Sequence, residues 1–297
     1  MLFIIITGVL ILTAAVCLGS INENQNLSLE EYKIVSAKLP EEFDGYKIVF
    51  LTDLHCNEFD YQNKALIDMI DGCSPDAIFI GGDMLVSRTD SSYDVALDLM
   101  RELSLRYRIY YADGNHELRL KRNEEVYGVA YKEYVHQLKE FGVIHLSNES
   151  VMVDSGISAI CLTAYDMEEK QYRKFHPAAP SVEDMTDAIG EPDPDFFQVL
   201  LAHNPNYFRQ YSKWGCDLVL SGHFHGGMVR LPKIGGVISP QFQLFPKYDS
   251  GEYQIGRSIM ILSRGLGNHS IKIRLFNRPE VSCITLKKKQ DIRYGIN

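Results

Sequence analysis

The sequence predicts an α/β protein in which strands and helices alternate along most of the chain. Short apolar runs typical of buried strands alternate with longer stretches whose apolar residues recur at helical spacing. The 297 residues are 45% hydrophobic and 23% charged, the composition of a globular protein with a substantial core. Polar residues of the kinds that hold metal ions directly follow several of the strands. These features exclude a disordered, collagen-like or disulfide-scaffold chain.

Before this alternation begins, residues 1–22 carry no charged side chain and are strongly apolar. A helix of about 20 residues reaches about 30 Å, enough to cross a bilayer. Signal peptides normally open with Lys or Arg, and none precedes Lys33, so the sequence favours an uncleaved anchor over a cleaved signal peptide. We therefore expect a single-pass anchor in the cell membrane. The extracytoplasmic side is favoured, although charges of both signs follow the segment and encode its orientation weakly.

The remaining elements follow in order along the chain. Residues 23–45 are expected to form a linker and a first strand at 32–38, and residues 46–297 one large domain. Strands are predicted at 47–52, 77–80 and 108–112, and helices at 63–72, 93–103 and 131–141. Three short strands at 143–164 precede a polar, acidic loop at 165–195, which contains a weak helix at most and is long enough to act as a substrate lid. The chain then continues with a strand at 197–202, a helix at 207–213, and strands at 217–220, 251–263 and 281–286.

Charge and cysteine content restrict the partners. With 30 Lys and Arg against 39 Asp and Glu, the formal net charge is -9, which repels a phosphate backbone and excludes nucleic acid as the expected partner. An anionic substrate then needs a local source of positive charge, such as a metal ion. The six cysteines are widely spaced and form no CxxC pair, so we expect reduced thiols in the core, with a single bridge as the alternative.

Seven potential metal ligands lie just after predicted strands, on five separate loops. In an open α/β sheet, the loops at the carboxyl ends of the strands converge on one edge. Oxygen and nitrogen donors without cysteine suit a pair of Mn, Fe or Zn ions better than a structural zinc or a calcium ion. The predicted ligands are Asp53, His55, Asp83, Asn115, His203, His223 and His225.

These residues form a motif series that resembles the calcineurin-like metallophosphoesterases from about residue 46 to the end of the chain. The motifs are Asp53-Leu54-His55, Gly82-Asp83, Gly114-Asn115-His116-Glu117, Ala202-His203 and Gly222-His223-Phe224-His225. The resemblance implies a four-layer αββα sandwich. It also implies that Asp53, His55, Asp83 and His225 hold one ion, and that Asp83 bridges to a second ion held by Asn115, His203 and His223.

The same resemblance implies a di-metal-dependent phosphohydrolase that cleaves a phosphate or pyrophosphate ester. Two divalent ions lower the pKa of a shared water and supply a bridging hydroxide for attack on phosphorus. His116 follows the ligand Asn115 and is the predicted catalytic residue, which stabilises the transition state or protonates the leaving oxygen. Glu117 or Asp113 is expected to orient it.

The apolar N-terminus, Leu39-Pro40 and Ser263-Arg264-Gly265-Leu266-Gly267 resemble the membrane-linked bacterial branch of this family. That branch includes UDP-2,3-diacylglucosamine hydrolases, so a lipid-linked substrate is expected beside a small phosphorylated one. The residues predicted to form an acyl-chain wall, or alternatively core strands, are Phe224, Met228, Val229, Leu231 and Leu266.

Two other functions stay open: a soluble nucleotide phosphodiesterase, and a catalytically silent binding scaffold of the same fold. His269 is a possible pocket residue, whereas His136, His145 and His176 are interpreted as ordinary surface or helix residues. The sequence does not predict the oligomeric state.

Overall fold

The computed structural model describes residues 2–173, 176–227, 230–231, 234–238, 244–268 and 273–290. For residues 2, 4–5 and 9–16 it describes the helical backbone alone. Within these ranges the strands form two six-stranded sheets and one short two-stranded ladder.

The first sheet holds the early strands of the chain and its last one. In spatial order it contains β1 (Ser28–Ser36), β14 (Glu280–Lys288), β2 (Lys47–Leu51), β3 (Ala77–Ile80), β4 (Arg108–Ala112) and β5 (Ile144–Leu146). Strands β2 to β5 are parallel, and β14 is antiparallel to β2. Strand β1 pairs in parallel with all of β14, from Ser28 opposite Glu280 to Ser36 opposite Lys288. Strands β1 and β14, which are far apart in the sequence, therefore lie side by side at one edge of this sheet.

The second sheet is built from the later strands. Its order is β12 (Gly251–Ile255), β13 (Ser258–Leu262), β9 (Leu218–Ser221), β8 (Gln198–Leu201), β7 (Ser158–Ala164) and β6 (Ser150–Ser155). Strands β7, β8, β9 and β13 are parallel, with an antiparallel hairpin partner at each edge. The short ladder pairs β10 (Arg230–Leu231) with β11 (Gly235–Gly236).

The helices are α1 (Leu2–Gln25), α2 (Lys64–Cys73), α3 (Asp94–Ser104), α4 (Asn115–Arg122), α5 (Glu124–Tyr127), α6 (Ala130–Glu140), α7 (Val182–Ile189) and α8 (Phe208–Trp214).

Three groups of buried side chains define the layers. Leu66, Leu99 and Leu138 of α2, α3 and α6 pack on the outer face of the first sheet. Met185 and Phe208 of α7 and α8 cover the outer face of the second sheet.

A third core joins the two sheets face to face. Phe50 and Phe79 of the first sheet pack in one cluster with Leu162 and Leu218 of the second. The order of layers is therefore helices, sheet, sheet, helices, as the four-layer prediction requires. Alternate residues of β2 and β3 enter different cores, because successive side chains of a strand point to opposite faces.

Most predicted elements are present, and helices α4, α5 and α7 were not predicted. Strands β3 and β4 have the predicted bounds, and α2, α3, α6 and α8 start within one residue of prediction. Helix α4 was expected as part of a loop because its sequence, NHELRLKR, has no apolar run. Helix α7 lies inside the predicted loop 165–195 and begins at a capping box between Ser181 and Asp184, which satisfies its first free amides.

Helix α1 covers the segment predicted as a membrane anchor. In the ranges described above, no helix combines the length and the apolar character needed to span a membrane. The anchor therefore remains a prediction.

The six cysteines carry free thiols, and Cys73, Cys216 and Cys283 are buried. The prediction of reduced thiols therefore agrees with the structure, although Cys17 on α1 is exposed rather than in the core.

Candidate metal centre

The centre is built where five parallel strands end. Asp53, Asp83 and Asn115 follow β2, β3 and β4, and His203 and His223 follow β8 and β9, each within three residues of the strand's last residue. Because both sheets direct these ends to one edge, residues far apart in sequence meet there. The topology of the two sheets therefore brings these loops together, as predicted.

The turns that carry these residues have an unusual backbone. Asp53, His55, Asp83, His223 and His225 have φ values of 55°, 50°, 53°, 69° and 50°, in the left-handed region that residues other than glycine seldom adopt. Each such residue costs of the order of 1 kcal/mol or more, and such residues cluster at functional sites. The left-handed conformation turns the chain sharply after the strand and directs consecutive side chains inward.

Two glycines allow the loops to approach closely. A Cβ atom at Gly222 would overlap the Asp53 carboxylate and the Thr52 side chain, and one at Gly114 would overlap Asp83. Only glycine leaves space for these contacts. The spacing of the loops therefore depends on Gly114 and Gly222.

The polar atoms of the ligand candidates lie within a few ångströms of one another. The Nε2 atom of His225 is 3.3 Å from Asp53 Oδ1 and 3.2 Å from His55 Nε2. The Nε2 atom of His203 is 3.1 Å from Asp83 Oδ2 and 3.7 Å from Asp53 Oδ1, so it lies between the two carboxylates. Asp53, His55 and His225 form one potential metal-holding group, and Asp83, His203 and His223 another.

Backbone carbonyls fix the orientation of three histidine rings. The Nδ1 atoms of His55, His203 and His225 face the carbonyl oxygens of Leu85, Gly81 and Gly267 at 3.2, 2.7 and 3.0 Å. A carbonyl oxygen can only accept, so Nδ1 must carry the proton in each ring. In the neutral form of each ring, Nε2 then presents a lone pair to the centre, as a metal-binding imidazole does.

Burial and charge set the ionisation of the centre. Burial, followed by neighbouring positive groups, lowers the pKa of His225 to about 3 and that of His223 well below its usual value. Both imidazoles are therefore neutral, the form that binds metals. Burial also lowers the pKa of His203, but Asp83 and Asp53 outweigh it and raise the value to about 10. The carboxylates thus attract positive charge into the centre.

The residues fit a divalent cation. The Asn115 side-chain amide lies 2.8 Å from His223 Nδ1 and 3.2 Å from Asp83 Oδ2, so Asn115 is in place beside both ligand candidates. In the described part of the chain, the buried Nε2 atom of His223 has no hydrogen-bond partner, and the buried Nε2 atom of His203 faces Asp83 Oδ2 at 3.1 Å. Such unsatisfied groups are costly unless a ligand occupies them.

His116 lies at the same centre but has a different tautomer. The backbone N–H of Ser87 donates to His116 Nδ1 at 2.9 Å, and the Ser87 hydroxyl is 2.8 Å from the same atom. A backbone N–H can only donate, so Nδ1 is the acceptor and Nε2 carries the proton of the neutral ring. His116 lies close to His55 and Asp83 and presents a donor where the other histidines present lone pairs.

The expected orienting carboxylates have other partners, so that expectation is wrong. Glu117 accepts hydrogen bonds from the backbone N–H groups of Asp83 and Leu85 at 2.8 and 3.1 Å, and from Tyr111. It therefore ties the turn after β3 to α4. Asp113 accepts from Tyr131 at 2.6 Å and contacts His145 Nε2 at 2.9 Å. Sequence reasoning missed Ser87, because a serine in a loop has no distinctive spacing.

The structure also shows where several other residues singled out from the sequence lie. His145 lies on β5 and pairs with the buried Asp113, so its interpretation as an ordinary surface or helix residue is wrong. Phe224 and Leu266 are completely buried and belong to the core, which excludes them from an acyl-chain wall. Leu231 is partly exposed. His136 is exposed on α6 and His176 is exposed in a bend, as expected, whereas His269, Met228 and Val229 lie outside the described residues.

Tyr172 was also missed by sequence reasoning. It lies in the predicted loop 165–195, and its ring centroid is 5.1 Å from that of His223 and 6.3 Å from that of His203. The loop therefore does reach the centre, through a short 3₁₀ helix at Glu169–Tyr172. A lone tyrosine in a polar stretch gave no signal for this position.

Comparisons with known proteins show which family this chain resembles. A family model described as calcineurin-like phosphoesterase matches residues 46–227. The uncharacterized metallophosphoesterase YkuE of Bacillus subtilis is 27% identical, and the match covers 89% of this chain and 87% of that protein. A transmembrane protein with metallophosphoesterase domain from Danio rerio is also 27% identical over 94% of this chain, which spans 62% of its length. The solved structure of a phosphopantetheinyl hydrolase from Mycobacterium tuberculosis is 12% identical, with a TM-score of 0.42 over 74% of this chain and 89% of that chain.

Proposed function

The chain belongs to the calcineurin-like phosphoesterase family and is a metallophosphoesterase, and from that premise we propose that it hydrolyses phosphate or pyrophosphate esters with two divalent ions. The observation that carries the proposal is the convergence of buried carboxylates and lone-pair imidazoles at one sheet edge. By binding metal cations, such a site provides local positive charge in a chain whose net charge is -9. It therefore explains how an acidic protein attracts an anionic substrate.

The ligands divide into two sets in this proposal. Asp53, His55 and His225 hold one Mn, Fe or Zn ion, and Asn115, His203 and His223 hold the other. Asp83 contributes to both. When bound, two such ions activate a water molecule and neutralise the charge that develops on phosphate oxygens.

The protein's own contribution is to position donors and to exclude bulk water. His116 presents its Nε2 proton toward the side of the centre where Asp83 lies, so it donates to a phosphate oxygen or to the leaving oxygen. Its hydrogen bond from Ser87 keeps that proton on Nε2. Glu117 holds the turn that carries Asp83 and Leu85, so the ligand and the carbonyl that orients His55 are fixed together.

The experiment is hydrolysis of an activated aryl phosphate by the full-length protein. We expect activity with Mn²⁺, loss of activity with a chelator, and recovery when Mn²⁺ is restored. Activity that survives complete removal of metal would contradict the proposal. Absence of activity together with full metal occupancy would instead favour the scaffold function.

A second feature supports a lipid-linked substrate and a membrane location. Large apolar side chains are exposed at the end of α1, on the described residues between 231 and 245, and at residues 273 and 276, and we call them the apolar rim. Its members are Leu18, Ile21, Leu231, Ile234, Leu244, Phe245, Ile273 and Phe276. Phe245 and Phe276 are 60% and 66% exposed. Exposed apolar groups clustered around a functional site are typical of a surface that meets a membrane or a partner.

Hydrogen bonds connect this rim to the metal centre. Arg230 N donates to Leu275 O at 3.1 Å, and Arg230 Nη1 donates to Gly226 O at 3.1 Å, next to His225. Asn277 Nδ2 donates to His225 O at 2.7 Å. A bilayer against the rim would therefore lie beside the reacting phosphate. A soluble nucleotide phosphodiesterase would have no use for these exposed side chains.

A further inference from the structure

An open cleft adjoins the metal centre on the side of α4. Asn115, Arg119, Arg122 and Tyr172 are among the residues that line it. None of the ligand sets described above uses the two arginines or the tyrosine. The cleft therefore shares Asn115 with the proposed metal centre and adds groups that the centre does not use.

The periodicity of α4 explains how the arginines come to lie there. Asn115, Arg119 and Arg122 are separated by four and three residues, so they share one face of the helix. Arg119 is about 6 Å along the helix axis from Asn115 and Arg122 about 10 Å, from a rise of about 1.5 Å per residue. The Arg119 guanidinium reaches Ser87, the residue that orients His116, and the Arg122 guanidinium reaches the carbonyl of Met167.

The two guanidinium groups are available to a ligand. Arg119 Nη1 makes one long hydrogen bond to Ser87 Oγ at 3.4 Å, and Arg122 Nη2 donates to Met167 O at 2.9 Å. Neither arginine has a carboxylate within 4.0 Å among the residues that the structure describes. Glu169 also lines the cleft, at its solvent-exposed edge.

The Tyr172 hydroxyl gives a second, independent reason to expect a ligand in the cleft. Its hydroxyl is buried and has no hydrogen-bond partner in the described ranges. A phenol hydroxyl can donate a hydrogen bond to an acceptor in the cleft. A buried hydroxyl without a partner is costly and indicates a missing acceptor.

We propose that this cleft binds a second phosphate group of the substrate, next to the phosphate that is cleaved. The donors are the Tyr172 hydroxyl and the guanidinium groups of Arg119 and Arg122, which form paired hydrogen bonds to phosphate oxygens. The site therefore favours an ester of diphosphate over the corresponding monophosphate. This inference rests on the proposed function, because it assigns the substrate class of that same centre.

Binding of a matched pair of aryl esters, a monophosphate and a diphosphate of the same alcohol, tests the proposal. The protein is the full chain with His116→Ala and saturating Mn²⁺, so that turnover does not disturb the titration. We expect the diphosphate to bind at least tenfold more tightly. Arg119→Met and Arg122→Met should each reduce that ratio of dissociation constants by about fivefold or more, and Tyr172→Phe should reduce it in the same direction.

The two arginines have different structural partners, Ser87 and Met167, so an effect that both variants share must come from the cleft. Lys139→Met removes one charge from the exposed last turn of α6, which precedes β5 and therefore lies where the strands of the first sheet begin rather than where they end, and should keep the ratio. Equal binding of both esters, or equal weakening of both in Arg122→Met, would overturn the proposal. Because binding is measured without turnover, failure of the parent enzyme to hydrolyse an aryl phosphate would contradict the proposed function alone.

Discussion

A single backbone hydrogen bond gives His116 a different tautomer from that of three other histidines of the centre. His55, His203 and His225 give their Nδ1 protons to carbonyl oxygens, whereas His116 Nδ1 accepts from the Ser87 N–H. The first three rings can therefore coordinate through Nε2, and the fourth can donate from Nε2. A difference of one proton position thus divides four neighbouring histidines into two chemical roles.

This division predicts different consequences for two substitutions. His116→Ala should lower kcat for an aryl phosphate by about 10²-fold or more while the metal content stays near that of the wild type. Asp83→Ala should remove metal, because Asp83 contacts His203 and is proposed to contribute to both ions. Metal analysis and steady-state kinetics measure both effects. Equal loss of metal in the two variants would show that His116 is a ligand instead.

A second prediction concerns Ser87 itself. Ser87→Ala keeps the backbone N–H, so the tautomer of His116 should persist and kcat should fall by less than about tenfold. Ser87→Asp places an acceptor beside Nδ1, draws the proton to that atom, and should lower kcat by about 10²-fold or more. The kinetics of the two variants, with circular dichroism to verify folding, measure the difference. Similar rates for both would remove the role assigned to the tautomer.

At the scale of elements, the sharp turns after the strands determine the spacing of the centre. The turn after β9 passes so close to the turn after β2 that Gly222 has no space for a Cβ atom beside Asp53 and Thr52. The left-handed residues Asp53 and His223 face each other across this contact, and His223 N donates to Asp53 Oδ2 at 3.0 Å. The two sheets are therefore joined at the metal centre as well as through their shared core.

The contact makes Gly222→Ala a sensitive test of this turn. The added methyl should displace Asp53, reduce bound Mn²⁺ to less than half and lower the free energy of unfolding by about 1–3 kcal/mol. Gly72→Ala is the matched control, because no side chain and no atom of another element lies within 4 Å of the methyl added on α2. That variant should keep its metal and unfold at the same or a higher temperature. Full metal occupancy in Gly222→Ala would contradict the argument.

The sequence allowed the strands and the predicted ligand positions to be identified, because apolar runs mark strands and the polar motifs directly follow them. Helix α4 was missed because tertiary contacts of Asn115, Glu117 and Leu118, rather than an apolar stripe, hold it. Ser87 and Tyr172 were missed for a related reason. Their positions at the centre depend on how loops fold back across two sheets, and no local pattern encodes that.

At the scale of the whole molecule, the end of α1 forms hydrogen bonds to residues that also position the metal centre. Ser20 Oγ accepts from Arg274 N at 3.0 Å, and Glu23 Oε2 accepts from Asn277 N at 3.0 Å. Arg274 is completely buried, and its Nη2 donates at 2.7 Å to Gly267 O, the same carbonyl that orients His225. The end of the predicted anchor and the metal centre therefore share one hydrogen-bonded support.

This arrangement leads to a prediction about substrate preference. If the rim meets a bilayer, Phe245→Glu combined with Phe276→Glu should lower the ratio of activity on a diacyl-linked phosphate ester in phospholipid vesicles to activity on a soluble aryl phosphate. We expect a decrease of about tenfold or more, because burying one large apolar side chain contributes about 1.5–3 kcal/mol and tenfold corresponds to about 1.4 kcal/mol.

The control for this test is Ile157→Glu, which introduces one charge at an apolar residue that is 96% exposed in the turn between β6 and β7. That turn precedes β7, so it lies at the edge of the second sheet opposite the metal centre, and the activity ratio should not change. Vesicle flotation of the full-length protein measures attachment independently of turnover. An unchanged ratio in the double variant would contradict a lipid-facing role for the rim, because two acidic groups cannot remain against an apolar phase without a large cost in free energy.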